Sequence, residues 1–177
     1  ISYTASPVTL DGLLLHNNLF DNIGSPTNLS GYYEACLYVR PEQNDHTVKN
    51  LHVINNTFKQ AAYSKGCITL GGQGTQTDIR LRNNIISGFS TAPVSIAKTN
   101  SGTLTIDTLT ITHNNFFNNG NSNNVLFTAI TPANYTNNNI ITTDPLFISL
   151  TNYSLQAGSP CKNAGIDLGY GLNIGAY

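Results

Sequence analysis

The 177-residue chain has the size of a single domain and almost no net charge, with 8 Lys and Arg against 9 Asp and Glu. Only 10% of its residues are charged, and 25 Asn, 21 Thr and 13 Ser supply most of the polar side chains. This composition excludes the basic patch of a nucleic-acid-binding protein, the low hydrophobicity of a disordered chain and the about 20 consecutive apolar residues of a membrane span.

The first predicted element is a strand within residues 1–10, because apolar and polar residues alternate until Pro7 interrupts the pattern. The residues that follow predict a stack of coiled strands, a solenoid. An end of such a stack that lacks a polar cap exposes strand edges, and such edges recruit other chains. We therefore expect head-to-tail assembly into a homo-oligomer or polymer, which deletion of residues 1–10 should abolish without unfolding the coils. The residues expected to carry this assembly are Ile1, Tyr3, Ala5, Val8 and Leu10.

Five Asn pairs recur along the chain and mark a repeat. Their first members are 38, 28, 31 and 24 residues apart. An apolar residue follows the second Asn of each pair at the second position, in the order Phe20, Phe58, Ile86, Phe117 and Ile141. Since Asn tolerates the left-handed backbone of sharp corners, and stacked amides can bond to one another, the pairs predict an Asn ladder. Its members are Asn17, Asn18, Asn55, Asn56, Asn83, Asn84, Asn114, Asn115, Asn138 and Asn139.

A second series of short apolar segments lies between the Asn pairs. Its equivalent residues are Leu37, Ile68, Val94 and Val125, at steps of 31, 26 and 31. Two interleaved series with one irregular period indicate a chain that coils back to the same place. We therefore predict one all-β domain over 1–177, a parallel solenoid of about six coils, with repeat coils over 10–142 and a closing segment over 144–177. The run 103–112 leaves the register of its strand ambiguous.

The closing segment strengthens a family resemblance that the repeats already carry. It reads Asp144-Pro145-Leu146-Phe147, then Tyr153 to Pro160, Asn163-Ala164-Gly165 and finally Ile174 to Tyr177. Together with the repeats, these residues resemble the right-handed parallel β-helix family of pectate-lyase-like secreted proteins. The resemblance implies a right-handed β-helix and an extracellular or cell-surface location. It leaves the activity open, because this fold carries lyases, hydrolases, adhesins and inert fibres.

The strand face that corresponds to the substrate face of those enzymes holds no acid or base in this sequence. If the second series points inward, its outward neighbours are Cys36, Tyr38, Cys67, Thr69, Pro93, Ser95, Leu126 and Thr128. A lyase could still use Arg40, Lys65 or Lys98 as a base or uronate clamp, with Tyr38 as proton donor. The nine carboxylates are dispersed along the chain, and we expect no metal and no cofactor.

The three cysteines cannot all pair within one chain. Cys36 and Cys67 are equivalents on adjacent coils, at a spacing that a disulfide can span, although side chains in register on parallel strands are poorly oriented for one. Two free thiols are the favoured reading, and Cys161 is expected to be buried and inert.

Two functions from different classes remain open. The favoured one is a non-catalytic extracellular structural or adhesive protein, a subunit of a surface fibre or filament assembled end to end. The alternative is a polysaccharide-active, lyase-like domain that acts on an acidic glycan. The expected partners are other copies of the chain and a polysaccharide.

Overall fold

The structure is a computed structural model that describes residues 2–3, 7–22, 35–60, 66–98, 102–120 and 125–176. These residues form a parallel β-solenoid with sixteen strands, and no helix occurs among them. The strands are, in chain order, β1 (Ser2–Tyr3), β2 (Thr9–Asp11), β3 (Leu14–His16), β4 (Leu19–Asp21), β5 (Leu37–Pro41), β6 (Thr47–Ile54), β7 (Thr57–Lys59), β8 (Ile68–Gly72), β9 (Gly74–Arg82), β10 (Ile85–Ser87), β11 (Val94–Lys98), β12 (Leu104–Ile106), β13 (Thr108–Thr112), β14 (Asn115–Phe117), β15 (Val125–Thr128) and β16 (Asn134–Asn138).

Sheet 1 contains β1, β5, β8, β11 and β15, all parallel. Its register aligns the four residues of the second sequence series, Leu37, Ile68, Val94 and Val125, as the sequence predicted. Tyr38, Thr69, Ser95 and Leu126 form one row on its outer face. Cys67 belongs to the hydrophobic core, so its expected outward orientation was wrong, and Pro93 is buried as well. Both precede their strands, and strict alternation of side chains holds only within a strand.

Sheet 2 contains five tiers, which are β2 with β3, then β6, β9, β12 with β13, and β16. The chain bends midway across the first three tiers, where Gly12, Asn50 and Asp78 adopt positive φ angles of 85°, 52° and 53°. The bend separates β2 from β3 but leaves β6 and β9 continuous. Gly, Asn and Asp suit it because they tolerate left-handed backbone better than other residues.

Sheet 3 contains β4, β7, β10 and β14. Its inward row is Phe20, Phe58, Ile86 and Phe116. The rings of Phe20 and Phe58 stack with centroids 4.6 Å apart. The inward rows of the three sheets form one hydrophobic core along the solenoid axis, in which Leu51, Ile79 and Leu109 of sheet 2 are fully buried.

The structure corrects the coil count. The strands make three complete coils, β5–β7, β8–β10 and β11–β14, flanked by the short strands β1–β4 and by β15 and β16. Six coils were too many, because residues 144–176 add no coil and instead fold back along the outside of the stack.

The structure also settles the register of the fourth and fifth repeats, which differs by one residue from the sequence alignment. Asn84 aligns with Asn114, because Ile85 pairs with Asn115. The inward residue of this repeat is therefore Phe116 and not Phe117. In the next repeat, Asn139 takes the corner and Ile140 follows it. The tandem Asn114-Asn115-Phe116-Phe117 fits the repeat pattern in two registers, so the sequence pattern did not distinguish them.

Residues 144–176, which we call the clasp, pack against the outer face of sheet 3. Ile85 of β10 points outward and is buried with Leu155, Cys161 and Ile174 in a second small core. Gly175, at φ 96°, allows the chain to approach the sheet, because a Cβ there would lie 2.6 Å from Ile85 and 2.9 Å from Thr57. The clasp therefore covers sheet 3 and also reaches the edge of sheet 2, where Tyr170 stacks on His16 of β3.

Candidate functional site

Of the residues predicted for a lyase, the described ones are Tyr38, Arg40 and Lys98, and they do not form one cluster on sheet 1. Tyr38 and Arg40 both lie on β5, and the Nε of Arg40 is 3.3 Å from Oε1 of Glu42. Lys98 is exposed at the end of β11, where it aligns with Gly72 of β8. Lys65 lies outside the described residues. Arg40 thus has a carboxylate partner, and Lys98 lies two tiers away from β5.

The residues predicted for assembly lie in or beside the first tier. Tyr3 belongs to β1, which pairs with β5 of the same chain, whereas Ile1 and Ala5 lie outside the described residues. Val8 accepts a backbone hydrogen bond from Thr47, and Leu10 packs against the core. Residues 8–10 therefore hold their own solenoid together, whatever else they contact.

The two members of each Asn pair occupy different environments. The second members, Asn18, Asn56 and Asn84, form a ladder with Asn114. Each Oδ1 from Asn56 onward accepts bonds of 2.8–3.1 Å from the backbone N–H and the side-chain amide of the preceding Asn. The first members, Asn17, Asn55 and Asn83, have φ of 52–54° and form the corners. In the fourth repeat, His113 forms the corner instead.

A group of charged side chains that sequence reasoning did not bring together lies on the outer face of sheet 2. His52 of β6 and Arg80 of β9 are directly paired neighbours on adjacent coils. Asp78 lies at the bend of β9, and Arg82 ends that strand. We call His52, Asp78, Arg80 and Arg82 the sheet 2 site. The sequence signal was the alternation of Asp78, Arg80 and Arg82, which puts side chains on one face of a strand.

Asp78 organises the sheet 2 site. Its Oδ1 is 2.6 Å from the Nε of Arg80, and its Oδ2 is 3.1 Å from the Nε2 of His52. Partial burial alone would raise the pKa of Asp78, but the hydrogen bonds from Arg80 and His52 outweigh it and lower that pKa. The carboxylate is therefore ionised at neutral pH, and it fixes both neighbours against the sheet.

Arg82 differs from Arg80 because no described carboxylate forms a hydrogen bond with it. It is partly buried, and its Nε has no hydrogen-bond partner. Partial burial and the nearby charge of Arg80 lower its pKa more than the charge of Asp78 raises it, and an arginine stays protonated at neutral pH. A partly desolvated cation that no carboxylate contacts directly favours binding of an anion.

The surroundings of the sheet 2 site are polar and regularly spaced. Its central row continues from His52 and Arg80 to Thr110 and Thr136 on the next two tiers. A second row, on the other side of the bend, consists of Thr9, Thr47, Thr75 and Thr105. Adjacent tiers are about 4.8 Å apart, so this face presents hydroxyl groups over a length of about 15–20 Å.

A groove of about 350 Å³ lies between the clasp and sheet 3. Phe117, Leu146, Phe147 and Leu150 form much of its wall, and Lys59 and Asp144 supply its charges. Lys59 donates to the backbone carbonyl of Gln60 at 3.3 Å, and Asp144 accepts from the backbone N–H of Leu146 at 2.8 Å. Both charged groups are therefore already hydrogen-bonded within the protein.

Comparison with known protein families, with curated proteins and with solved structures gives no match. Within the described residues, no three His, Cys, Asp or Glu side chains are placed to hold a metal ion. The same part of the chain has no helix with the length and hydrophobicity to cross a membrane.

Proposed function

We propose that this chain is a non-catalytic extracellular adhesive module that binds an extended acidic polysaccharide along the outer face of sheet 2. The observation that carries the proposal is the guanidinium of Arg82, which forms no hydrogen bond with a described carboxylate and lies on the same face of β9 as Arg80. A guanidinium binds a carboxylate through two parallel hydrogen bonds, which suits it to the uronic acids of such a polymer.

The shape of the face supports a polymeric ligand. A polysaccharide that crosses the tiers would meet a charged or hydroxyl side chain at each coil, because the rows of sheet 2 are in register. Thr110 and Thr136 can donate to and accept from sugar hydroxyls. The charge-poor chain, with a net charge of −1, supplies little long-range attraction, so the contacts at the site must select the ligand.

The contacts that the charged groups already make within the protein favour binding over catalysis. Arg80 and His52 are both held by Asp78, which favours fixed positions for them. The proposal also includes a relation to the pectate-lyase-like β-helix proteins. The support for this relation is a repeat with Asn corners and three strands per coil.

The test compares Arg82→Gln with Lys98→Gln in binding to polygalacturonate. Each variant removes one positive charge, but Lys98 is an exposed residue of sheet 1. Losing a charged hydrogen bond of about 1.5–3 kcal/mol should weaken binding about 10- to 100-fold in Arg82→Gln, and Lys98→Gln should bind like the wild type. Titration calorimetry at fixed salt measures both.

Methyl-esterified polygalacturonate has the same sugar units without the negative charge, so it shows whether binding depends on that charge. We expect it to bind much more weakly than the free acid, and added salt should weaken binding of the acid. Equal binding of the two polymers, or equal binding by the two variants, would contradict the proposal. Circular dichroism and thermal unfolding check that both variants are folded.

A lyase acting on the same polymer is the second candidate, and the contact between His52 and Asp78 favours it. If Nε2 of His52 carries the proton shared with Asp78, Nδ1 would accept a proton from the carbon that bears the uronate carboxylate, while Arg82 would bind that carboxylate. Absorbance of the unsaturated product, lost in His52→Gln, would establish this reaction and refute the non-catalytic proposal. Loss in Lys98→Gln would point to the sheet 1 residues instead.

A further inference from the structure

Cys36 and Cys67 are side by side on adjacent coils. The paired register of Leu37 and Ile68 puts them at equivalent positions, and the backbone N–H of Leu37 donates to the carbonyl of Cys67 at 3.0 Å. The two thiols are hydrogen-bonded to each other. Parallel neighbours are about 4.8 Å apart, which lies within the Cα separation that a disulfide spans.

Side chains in register on parallel strands are poorly oriented for a disulfide, but the two cysteines lie outside their strands. Both lie in a bend immediately before their strand, since β5 begins at Leu37 and β8 begins at Ile68. Their side chains are therefore not held to the pleat. Pro93 occupies the equivalent position on the following coil, so the row contains these two thiols and then ends.

The two thiols differ in accessibility and acidity. Cys36 is partly buried, whereas Cys67 is fully buried in the core. The hydrogen bond from Cys67 lowers the pKa of Cys36, and burial raises the pKa of Cys67. Cys36 is therefore the thiol that reacts first with a reagent from solution, because the thiolate is the nucleophile.

We propose that Cys36 and Cys67 are an oxidisable pair that peroxide converts into a disulfide between two coils. The Cys36 thiolate attacks one oxygen of hydrogen peroxide, the O–O bond breaks, and hydroxide leaves. The resulting sulfenic acid is then attacked by the sulfur of Cys67, which gives up its proton. The S–O bond breaks and the hydroxyl leaves with that proton as water. In sum, two thiols and one peroxide yield one disulfide and two waters.

The disulfide would join consecutive coils of the solenoid and close the segment between residues 36 and 67. Closing a loop of this length restricts the unfolded chain and so stabilises the folded one. The oxidised protein is therefore expected to unfold at a higher temperature than the reduced protein. This effect is independent of the polysaccharide proposed for sheet 2, so either proposal can fail without the other.

The test treats the reduced protein with stoichiometric hydrogen peroxide, then denatures it in iodoacetamide. We expect a loss of two hydrogen atoms, alkylation of Cys161 alone instead of all three thiols, and full reversal by dithiothreitol. Trypsin cuts after Lys49, Lys59 and Lys65, which lie between the two cysteines in the sequence, so a disulfide appears as two linked peptides without reduction. Thermal unfolding before and after oxidation measures the stabilisation.

Two variants act as controls. Cys161→Ser should form the linked peptides like the wild type, whereas Cys67→Ser should stop at a sulfenic acid on Cys36 that dimedone traps. Alkylation of all three wild-type thiols after peroxide would overturn the proposal. So would oxidation of wild-type Cys36 to a sulfinic acid while Cys67 remains a thiol. The wild-type measurement decides the question even if Cys67→Ser fails to fold.

Discussion

The buried Asn ladder shows how one side chain can serve two coils. Asn84 is fully buried, and its Oδ1 accepts from the backbone and the side chain of Asn56 at 3.0 and 3.1 Å. Its own backbone N–H donates to Asn114, and its amide also bonds to the carbonyl of Val53. Every coil corner would otherwise bury an unpaired N–H, which is costly in a low-dielectric interior.

Asn84→Ala should therefore destabilise the protein strongly. It leaves the buried backbone N–H of Asn56 without an acceptor, and it also removes the bonds that the Asn84 amide donates to Val53 and Asn114. At about 1–3 kcal/mol for each buried group that loses its partner, we expect a loss of about 2–5 kcal/mol in the free energy of unfolding. Urea denaturation measures it. Asn18→Ala is the matched control, because Asn18 is exposed at the end of the ladder and water can replace its bonds. Similar losses in the two variants would contradict this account.

At the scale of elements, hydrogen bonds at several separate positions attach the clasp to the outside of the solenoid. Tyr153 donates to Oδ1 of Asp21 at 2.7 Å, and Asn83 exchanges two bonds with the backbone of Ile166. Asn55 donates to the carbonyl of Asn173, and the ring of Tyr170 stacks on His16 at 4.6 Å. The corner residues thus attach the clasp, while the ladder residues join the coils.

Tyr153→Phe should weaken the clasp in a pH-dependent way. Burial, together with the carboxylate of Asp21, raises the pKa of Tyr153 to about 12, from about 10 in an unfolded chain. Because the folded pKa is the higher one, the stabilisation is complete below about pH 10 and is lost as the pH rises through about 12. The stability difference between wild type and variant should therefore shrink over this range.

Urea denaturation at pH 8 and near pH 11 tests the Tyr153 prediction. Tyr170→Phe is the control, because it removes a hydroxyl that forms no hydrogen bond with the described residues. Its difference from the wild type should be small. A difference for Tyr153→Phe that stays constant with pH would show that the bond to Asp21 does not stabilise the clasp.

At the scale of the whole molecule, the three sides and the final tier have different surroundings. The clasp covers sheet 3 and contacts His16 at the edge of sheet 2, whereas His52, Arg80 and Thr110 of sheet 2 are partly exposed among the described residues. In the described part of the chain, β16 pairs only with β13, and all five of its residues are exposed. Phe127 and Tyr135 contact edge to face at 5.1 Å near this end of the core. A strand edge with apolar neighbours is suited to strand addition.

End-to-end assembly remains a prediction, and Tyr135→Lys tests it at the final tier. A lysine there puts a charge where another copy would stack. We therefore expect the wild type to form oligomers and the variant to stay monomeric. Deleting residues 1–10 would be less clear, because it also removes pairing between β2 and β6.

Size-exclusion chromatography with light scattering at increasing concentration measures the assembly. Leu172→Lys is the control, since Leu172 is 45% exposed on the clasp and its carbonyl accepts from Gly165, which lies against Asn83 of the central coil. It should assemble like the wild type. A wild-type protein that stays monomeric at high concentration would refute the assembly prediction.

The repeats alone determined much of this fold. The spacing of the Asn pairs and of Leu37, Ile68, Val94 and Val125 was sufficient for a parallel all-β solenoid and for the register of sheet 1. The physical reason is that each coil must return apolar residues to one core and left-handed residues to one corner. Both requirements are local in sequence, so they leave a readable pattern.

Only the tertiary structure decided the details that depend on how coils align. The tandem Asn and Phe residues at 114–117 satisfied two registers, and stacking on β10 selected one of them. His52 and Arg80 are 28 residues apart, so their meeting at Asp78 depends on the pairing of β6 with β9. Within an Asn pair, the second residue bonds to the neighbouring coil and the first residue bonds to the clasp. This difference likewise depends on where the neighbouring coil and the clasp lie.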